Sequence, residues 1–312
     1  MLDLLVLLAA VFALWIGTEI TLRAAVRIAH HHRVSETVIG VAVLAVGTDL
    51  PELTVAIDAG LETLAGNDAS GIVTGTAVGS TLGQIGFVLG LAATMAFLTL
   101  SRREIYRHGA FLLGSVVLLF VTGLDGEVSR TEGAILVISY LLYLTAVFER
   151  EHQEAVVDQL SLNHVAMFWV MLGVGIAIVV ASAELTVDRA RELAEQLGVR
   201  QSIIAIFIVG LGSSLPELVV SLAALRKKRI GLSVGNIIGS NVLDTLLPVG
   251  IAALITPIAF ESQLLWFDVP FLFVLTALVL AFFYRGGLGR RNGVVLIGAY
   301  FGYAFIKLFL VP

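Results

Sequence analysis

The sequence predicts an all-α integral membrane protein of ten transmembrane helices, arranged as two inverted five-helix repeats with helices broken near mid-membrane. Three observations predict it. Of 312 residues, 58% are hydrophobic and 14% charged, where a soluble domain carries about 25% charged residues. Apolar stretches of about 20 residues, the length that spans a bilayer, recur along the whole chain. The chain also repeats itself: VGTDLPEL at Val46–Leu53 returns as LGSSLPEL at Leu211–Leu218, and TGTAVGSTLGQ at Thr74–Gln84 returns as VGNIIGSNVLD at Val234–Asp244.

Taken in order, the spans are expected near 2–26, 37–60, 71–98, 109–124, 133–148, 165–187, 202–225, 231–256, 264–284 and 293–311. The first opens MLDLLVLLAAVFALWIG, with no basic leader and no small-residue cleavage site, so it is expected to be a retained helix and not a signal peptide. The first and sixth run on into polar extensions, as long tilted helices would; the fourth and fifth are short. The longest connection is the acidic stretch Glu149 to Asn163. The expected organisation is a first repeat over 1–150, a short loop over 151–163 and a second repeat over 164–312. Thirteen Lys and Arg residues fall on one face and five on the other, with Arg23 inside the first span. The richer face is cytoplasmic by the positive-inside rule, which predicts a multi-pass cell-membrane protein with both termini outside. The chain has no cysteine, which excludes disulfides, thiolate chemistry and Cys-based metal sites.

Subtraction defines the repeat. Glu217 minus Glu52 gives a shift of 165, which also pairs Glu19 with Glu184, Gly47 with Gly212, Pro51 with Pro216 and Ala59 with Ala224. Ser240 minus Ser80 gives 160, pairing Gly71 with Gly231, Gly75 with Gly235, Gly79 with Gly239 and Gly90 with Gly250. An odd number of helices per half inverts the second copy, and paired Gly/Pro-interrupted spans are the sequence signature of a midplane binding site.

The chemistry lies in the interruptions. Pro51 lacks an amide hydrogen and disrupts the preceding turn, and Gly47 adds backbone freedom. Together they are expected to open the second span and free carbonyls around Ala45 and Val46. Such backbone is tolerated at membrane depth only against protein or a wet cavity. Glu52 follows Pro51, as Glu217 follows Pro216 from the opposite direction. The two glutamates, freed carbonyls and the hydroxyls of Thr48, Ser213, Ser214, Ser80 and Ser240 make an all-oxygen set suited to calcium or, in subsets, sodium. Acids at membrane depth are costly and mark ion or proton paths. Ser80 with Gln84, and Ser240 with Asp244, stand four residues apart on one helix face. The glycines of these spans serve close packing.

These motifs resemble the sodium/calcium exchanger family of the cation/calcium exchanger superfamily, prokaryotic type. Its pattern is a duplicated G-[TS]-S-[LM]-P-E segment, each followed by G-N-x-x-G-S-N-x-x-[ND], and the likeness covers essentially the whole chain. The resemblance implies alternating access, with one cavity that takes either calcium or several sodium ions while the first and sixth helices slide against the rest. It implies calcium held mainly by Glu52 and Glu217. Sodium would use these with Thr48, Ser80, Ser213, Ser214, Ser240, Asp244 and the carbonyls of Ala45 and Gly210. Calcium and sodium are then substrates of an antiporter, with no organic cofactor and no enzymatic role. The bilayer, these ions and protons are the expected partners; no nucleic acid or protein partner is inferred.

The first copy departs from the family pattern. Asp49 stands in place of serine, Thr76 and Thr81 in place of asparagines, and Gln84 in place of asparagine or aspartate. Asp49, Glu52, Glu217 and Asp244 would give four carboxylates around one divalent ion, a residual charge of about −2 that a low-dielectric site resists. Bound protons or extra cations are expected to offset it, giving a pH-sensitive exchange that Asp49→Ser would flatten.

Other features carry less. Glu19 is expected to pair with Arg23 four residues on; Asp58 belongs either to the lining of the outer entrance or to a solvated helix end, and His30-His31-His32 to a solvated or headgroup-facing loop. Arg226 to Arg229 is a topology signal, and Trp15, Trp169 and Trp266 are interface anchors. A membrane hydrolase is disfavoured, since H-E-x-x-H is absent and the histidines are expected outside the apolar core. A channel fits paired inverted breaks less well than a carrier. The closer alternatives are calcium/proton exchange and sodium exchange against another divalent ion.

Overall fold

The computed structural model describes residues 2–148, 162–196, 212 and 214–309. In chain order the helices are α1 (Leu2–His32), α2 (Glu36–Thr48), α3 (Leu50–Leu64), α4 (Ser70–Met95), α5 (Arg102–Thr122), α6 (Arg130–Phe148), α7 (Leu162–Gln196), α8 (Leu215–Arg226), α9 (Ile230–Ile255), α10 (Leu264–Tyr284) and α11 (Arg290–Phe309). Two-residue strands β1 (Glu127–Val128) and β2 (Ile258–Ala259) are the only sheet among the described residues. Eight described helices are long and apolar enough to cross a membrane, or nine with the broken pair α2 and α3 as one span. The expected seventh span, 202–225, starts outside the described residues, and α8 is its described part. The fourth expected span is corrected: α5 starts at Arg102, not at 109. Ser101 accepts from the Glu104 amide while Glu104 accepts from the Ser101 amide at 2.7 Å, a capping box that starts a helix in polar sequence.

The described chain divides into two compact units, each drawn from both sequence halves: 1–48 with 150–236, and 49–149 with 237–312. In the first unit α1 packs against α7. A Cβ on Gly17 would stand 2.7 Å from Ile178, and one on Gly175 would stand 2.5 Å from Thr21. Contact positions fall on α7 as they rise on α1, so the two helices are antiparallel. They are repeat counterparts, and an antiparallel pair is what inverted copies require. Their seam closes over Leu14, Leu22, Ala25, Leu172, Ile176 and Val179. The start of α2 meets the start of α9 through glycine: a Cβ on Gly40 would lie 2.7 Å from the Leu232 carbonyl oxygen. Glu19 accepts from Arg23 at 2.7 Å and Lys227 at 2.5 Å, and Glu36 from Arg229 at 2.6 Å. The pairing of Glu19 with Arg23 is the expected one; Lys227 is its second partner.

The second unit carries the repeat into its contacts. Val128 pairs with Ile258 in β1–β2, and Leu98 forms an isolated bridge with Leu288; adding 160 to 98 and 128 gives 258 and 288, so one pairing is the image of the other. Likewise Gly90 of α4 meets Gly293 of α11, and Gly250 of α9 meets Gly133 of α6. His108 lies 3.1 Å from the Tyr143 hydroxyl, while its counterpart Asp268 accepts from the hydroxyl of Tyr303, the counterpart of Tyr143. Lys307 adds an ion pair to Asp268 at 2.8 Å. His108 is fully buried, which corrects the expectation that every histidine lies outside the core; the early start of α5 carries it inward. At the loop before α4, the Ser70 hydroxyl and then the Ser70 amide, which donates to Asp68 at 3.0 Å, hold the Asp68 carboxyl below the usual carboxylate range.

Candidate functional site

The break between α2 and α3 and the start of α8 have one backbone geometry. Asp49, between α2 and α3, has φ −87° and ψ 7°; its counterpart Ser214, before α8, has φ −90° and ψ 15°. Each residue's carbonyl then accepts the first bond of the new helix, from Leu53 at 3.1 Å and from Leu218 at 3.0 Å. Pro51 and Pro216 stand in the first turns of α3 and α8, where the absent N–H has no helical partner to lose. Glu52 and Glu217 occupy the same first turns, where the helix dipole favours negative charge. Thr48 donates to the Leu44 carbonyl at 3.1 Å and the Ala45 carbonyl at 3.3 Å. The Ala45 carbonyl is therefore shared with a hydroxyl and not left wholly free.

In the second unit, Asp49 is 0% and Glu52 3% exposed, and each offers a carboxylate oxygen within 4.8 Å of the other's. Across from each other on α4 and α9, Ser80 donates to Asp244 Oδ2, and Gln84 Nε2 donates to the same oxygen at 2.9 Å and to Ser80 Oγ at 3.3 Å. Thr81 and Thr245 hydroxyls stand 3.5 Å apart. Asp244 Oδ1, Gln84 Oε1, Asn241 Oδ1 and Ser240 Oγ are buried and have no hydrogen-bond partner among the described residues. These are oxygen acceptors inside the two most enclosed spans, 72% and 83% buried. A hard cation, which takes oxygen ligands, matches that set.

In the first unit Glu217 and Ser214 are buried, as are Ala45 and Thr48. Ser213 and Gly210 lie outside the described residues. The geometry thus joins Ser80, Gln84 and Asp244 directly and sets Asp49 beside Glu52.

Tyr140 was not among the expected site residues. It is 2% exposed, lies within electrostatic range of both Asp49 and Asp244, and its hydroxyl has no partner among the described residues. The signal that could have found it is its counterpart Tyr300, at the same shift of 160. The sequence Gly231-Leu232-Ser233-Val234-Gly235 spells G-x-S-x-G, a pattern the hydrolase reading passed over. It runs inside continuous helix α9, not across the strand-to-helix elbow that exposes a nucleophile. The buried His108 faces Tyr143 and Arg107, so it is not placed as a serine's base. Asp58 is exposed, and the His32 ring stands 6.0 Å from that of Trp169.

The chain belongs to the sodium/calcium exchanger family, whose model, described as sodium/calcium exchanger protein, matches residues 2–149 and 167–309. It is 31% identical to an uncharacterised membrane protein of Methanocaldococcus jannaschii over 94% of each chain. It is 28% identical to the sodium/calcium exchanger MaX1 of Methanosarcina acetivorans over 99% of each. Among solved structures it matches the sodium-calcium exchanger NCX_Mj soaked with sodium and calcium, with TM-score 0.84, 30% identity and 99% coverage of both chains. This is an integral membrane protein of all-α exchanger fold.

Proposed function

We propose that the protein is a secondary active antiporter that exchanges calcium for sodium by alternating access. One observation carries the reading: buried carboxylates and buried acceptor oxygens occupy repeat-equivalent positions in bilayer-length helices, with Asp49 and Glu52 at one break and Ser80, Gln84 and Asp244 at the crossing of α4 and α9. Glu217 completes the set from the second copy of the motif.

In this mechanism Glu52 and Glu217 are the main calcium ligands. Thr48, Ser213, Ser214, Ser80, Ser240 and the Ala45 and Gly210 carbonyls supply neutral oxygens to calcium and sodium in turn. Thr48 spends its proton on backbone carbonyls, so its oxygen lone pairs can face a cation. Gln84 and Ser80 orient Asp244, since each donates to its Oδ2. Asp49 adds a carboxylate and therefore a requirement for one more monovalent cation, sodium or a proton. The antiparallel α1 and α7 slide together on a seam kept close by Gly17 and Gly175. The excess of Lys and Arg on one face supports both termini outside. No organic cofactor or protein partner enters this mechanism.

Reconstituted proteoliposomes test it. An outward sodium gradient drives calcium uptake if the reading holds. Uptake driven only by a proton gradient makes the protein a calcium/proton exchanger, transport of another divalent ion in preference to calcium changes the substrate, and flux without a counter-ion makes it a channel.

A further inference from the structure

Within the first unit, a cavity of about 410 Å³ opens beside α1, lined by the apolar Leu22, Val26, Phe168 and Met171 and by the cationic Arg23, Arg27, Lys227 and Arg229. Its volume falls in the roughly 300–1,000 Å³ range of small-ligand sites. Its lining combines two chemistries. The apolar floor comes from α1 and α7; the cationic rim comes from α1 and the turn after α8.

We infer that this cavity binds an anionic phospholipid, with the phosphate at the cationic rim and the start of an acyl chain on the apolar floor. Four cations gather there; Glu19 bonds Arg23 and Lys227, and Glu36 bonds Arg229. Those ion pairs fix the cationic groups in place while Arg23 remains 70% exposed at its side chain. Guanidinium groups match phosphate oxygens in bidentate fashion. Their aliphatic stems can lie along Leu22 and Val26 while the charged ends reach the headgroup layer. Basic pockets between membrane helices recognise acidic headgroups in this way. Free phosphate would satisfy the rim alone, whereas the apolar floor calls for a lipid.

The occupant's position follows from the elements that line the cavity. It touches α1, α7 and the turn between α8 and α9 at once, so a bound lipid would tie together three segments of the first unit. Nothing in the ion-binding oxygen set is used.

Native mass spectrometry of the purified full-length protein, titrated with phosphatidylglycerol, phosphatidylcholine or inorganic phosphate, tests the inference. Phosphatidylglycerol should be retained about tenfold or more tightly than phosphatidylcholine, and the preference should weaken with salt. The double variant Arg23→Gln/Arg27→Gln should lose the preference, and Met171→Trp, which fills the floor and leaves the rim charged, should lower phosphatidylglycerol retention. Equal retention of the two lipids, an undiminished preference in the double variant, or retention unaffected by Met171→Trp would each overturn it. Inorganic phosphate alone displacing phosphatidylglycerol at equal concentration would also overturn it, since the site would then be one for a free anion.

Discussion

Gln84 donates its side-chain amide to Asp244 at 2.9 Å, and these two residues are each other's counterparts across the repeat. The shift of 160 that relates α4 to α9 thus brings a residue and its own image into contact. A neutral donor meets an acid because the two copies have diverged at that position. Asp244 accepts from Ser80 as well, so its carboxyl is oriented by α4.

Gln84→Leu removes one of those donors while keeping an apolar volume. Hydrogen bonds to charged groups contribute about 1.5–3 kcal/mol, so the melting temperature in cation-free detergent should fall by several degrees. An unchanged melting temperature would show that the amide does not hold the carboxylate.

Glu52→Gln keeps size and removes the charge at the first break. Carboxylate count sets the affinity of oxygen sites for calcium, so calcium affinity, read by calorimetry, should drop by about two orders of magnitude. Asp58→Asn, on the exposed face of the same helix, should leave it within a factor of about two. Equal losses at both positions would remove Glu52 from the site.

Asp49→Ser restores the residue of the second copy. It takes away one carboxylate of the pair within 4.8 Å, and with it one compensating positive charge. The reversal potential of exchange in proteoliposomes should report fewer monovalent cations moved per calcium, with a flatter response to pH. A variant with the parent's stoichiometry would show that Asp49 does not take part in ion counting.

Gly133→Ala tests the packing of the second unit. Its Cβ would stand 2.8 Å from the Gly250 carbonyl oxygen, whereas a Cβ on Gly114 meets nothing within 4 Å. Helix propensity favours alanine by up to about 1 kcal/mol at both sites, and backbone overlap at Gly133 should reverse this by about 1–3 kcal/mol. The melting temperature should fall for Gly133→Ala and hold or rise for Gly114→Ala; equal shifts would contradict the close approach.

Tyr303→Phe and Tyr143→Phe compare the two images of one contact. Tyr303 serves the carboxylate of Asp268 and Tyr143 serves the imidazole of His108. Loss of a bond to a charged acceptor costs about 1.5–3 kcal/mol against about 0.5–1.5 for a neutral one. Tyr303→Phe should therefore lower the melting temperature more.

Much of this was legible in the sequence because the repeat is written in residue types with strong backbone consequences. Pro51 with Gly47 located the break between α2 and α3 to within a few residues and Pro216 the start of α8, and the spacing of Ser80 with Gln84 placed them on the face that meets Asp244. The start of α5 was hidden because Arg102, Arg103 and Arg107 look like loop residues until the Ser101–Glu104 capping box is recognised. Missing that start also misplaced His108. Tyr140 was hidden for a different reason: an aromatic residue in an apolar span has no distinguishing pattern unless the shift of 160 is followed past Gly90 to Tyr300. Lys227 as a second partner of Glu19 lies over 200 residues away, and no local spacing encodes it.

The central claim is that one calcium ion is held by glutamates from both copies of the motif, and anomalous scattering from crystals soaked in strontium, as a calcium surrogate, tests it most directly. The account predicts a single dominant peak at about 2.3–2.6 Å from carboxylate oxygens of both Glu52 and Glu217. A peak that touches only one of them, or one centred away from both, would contradict it.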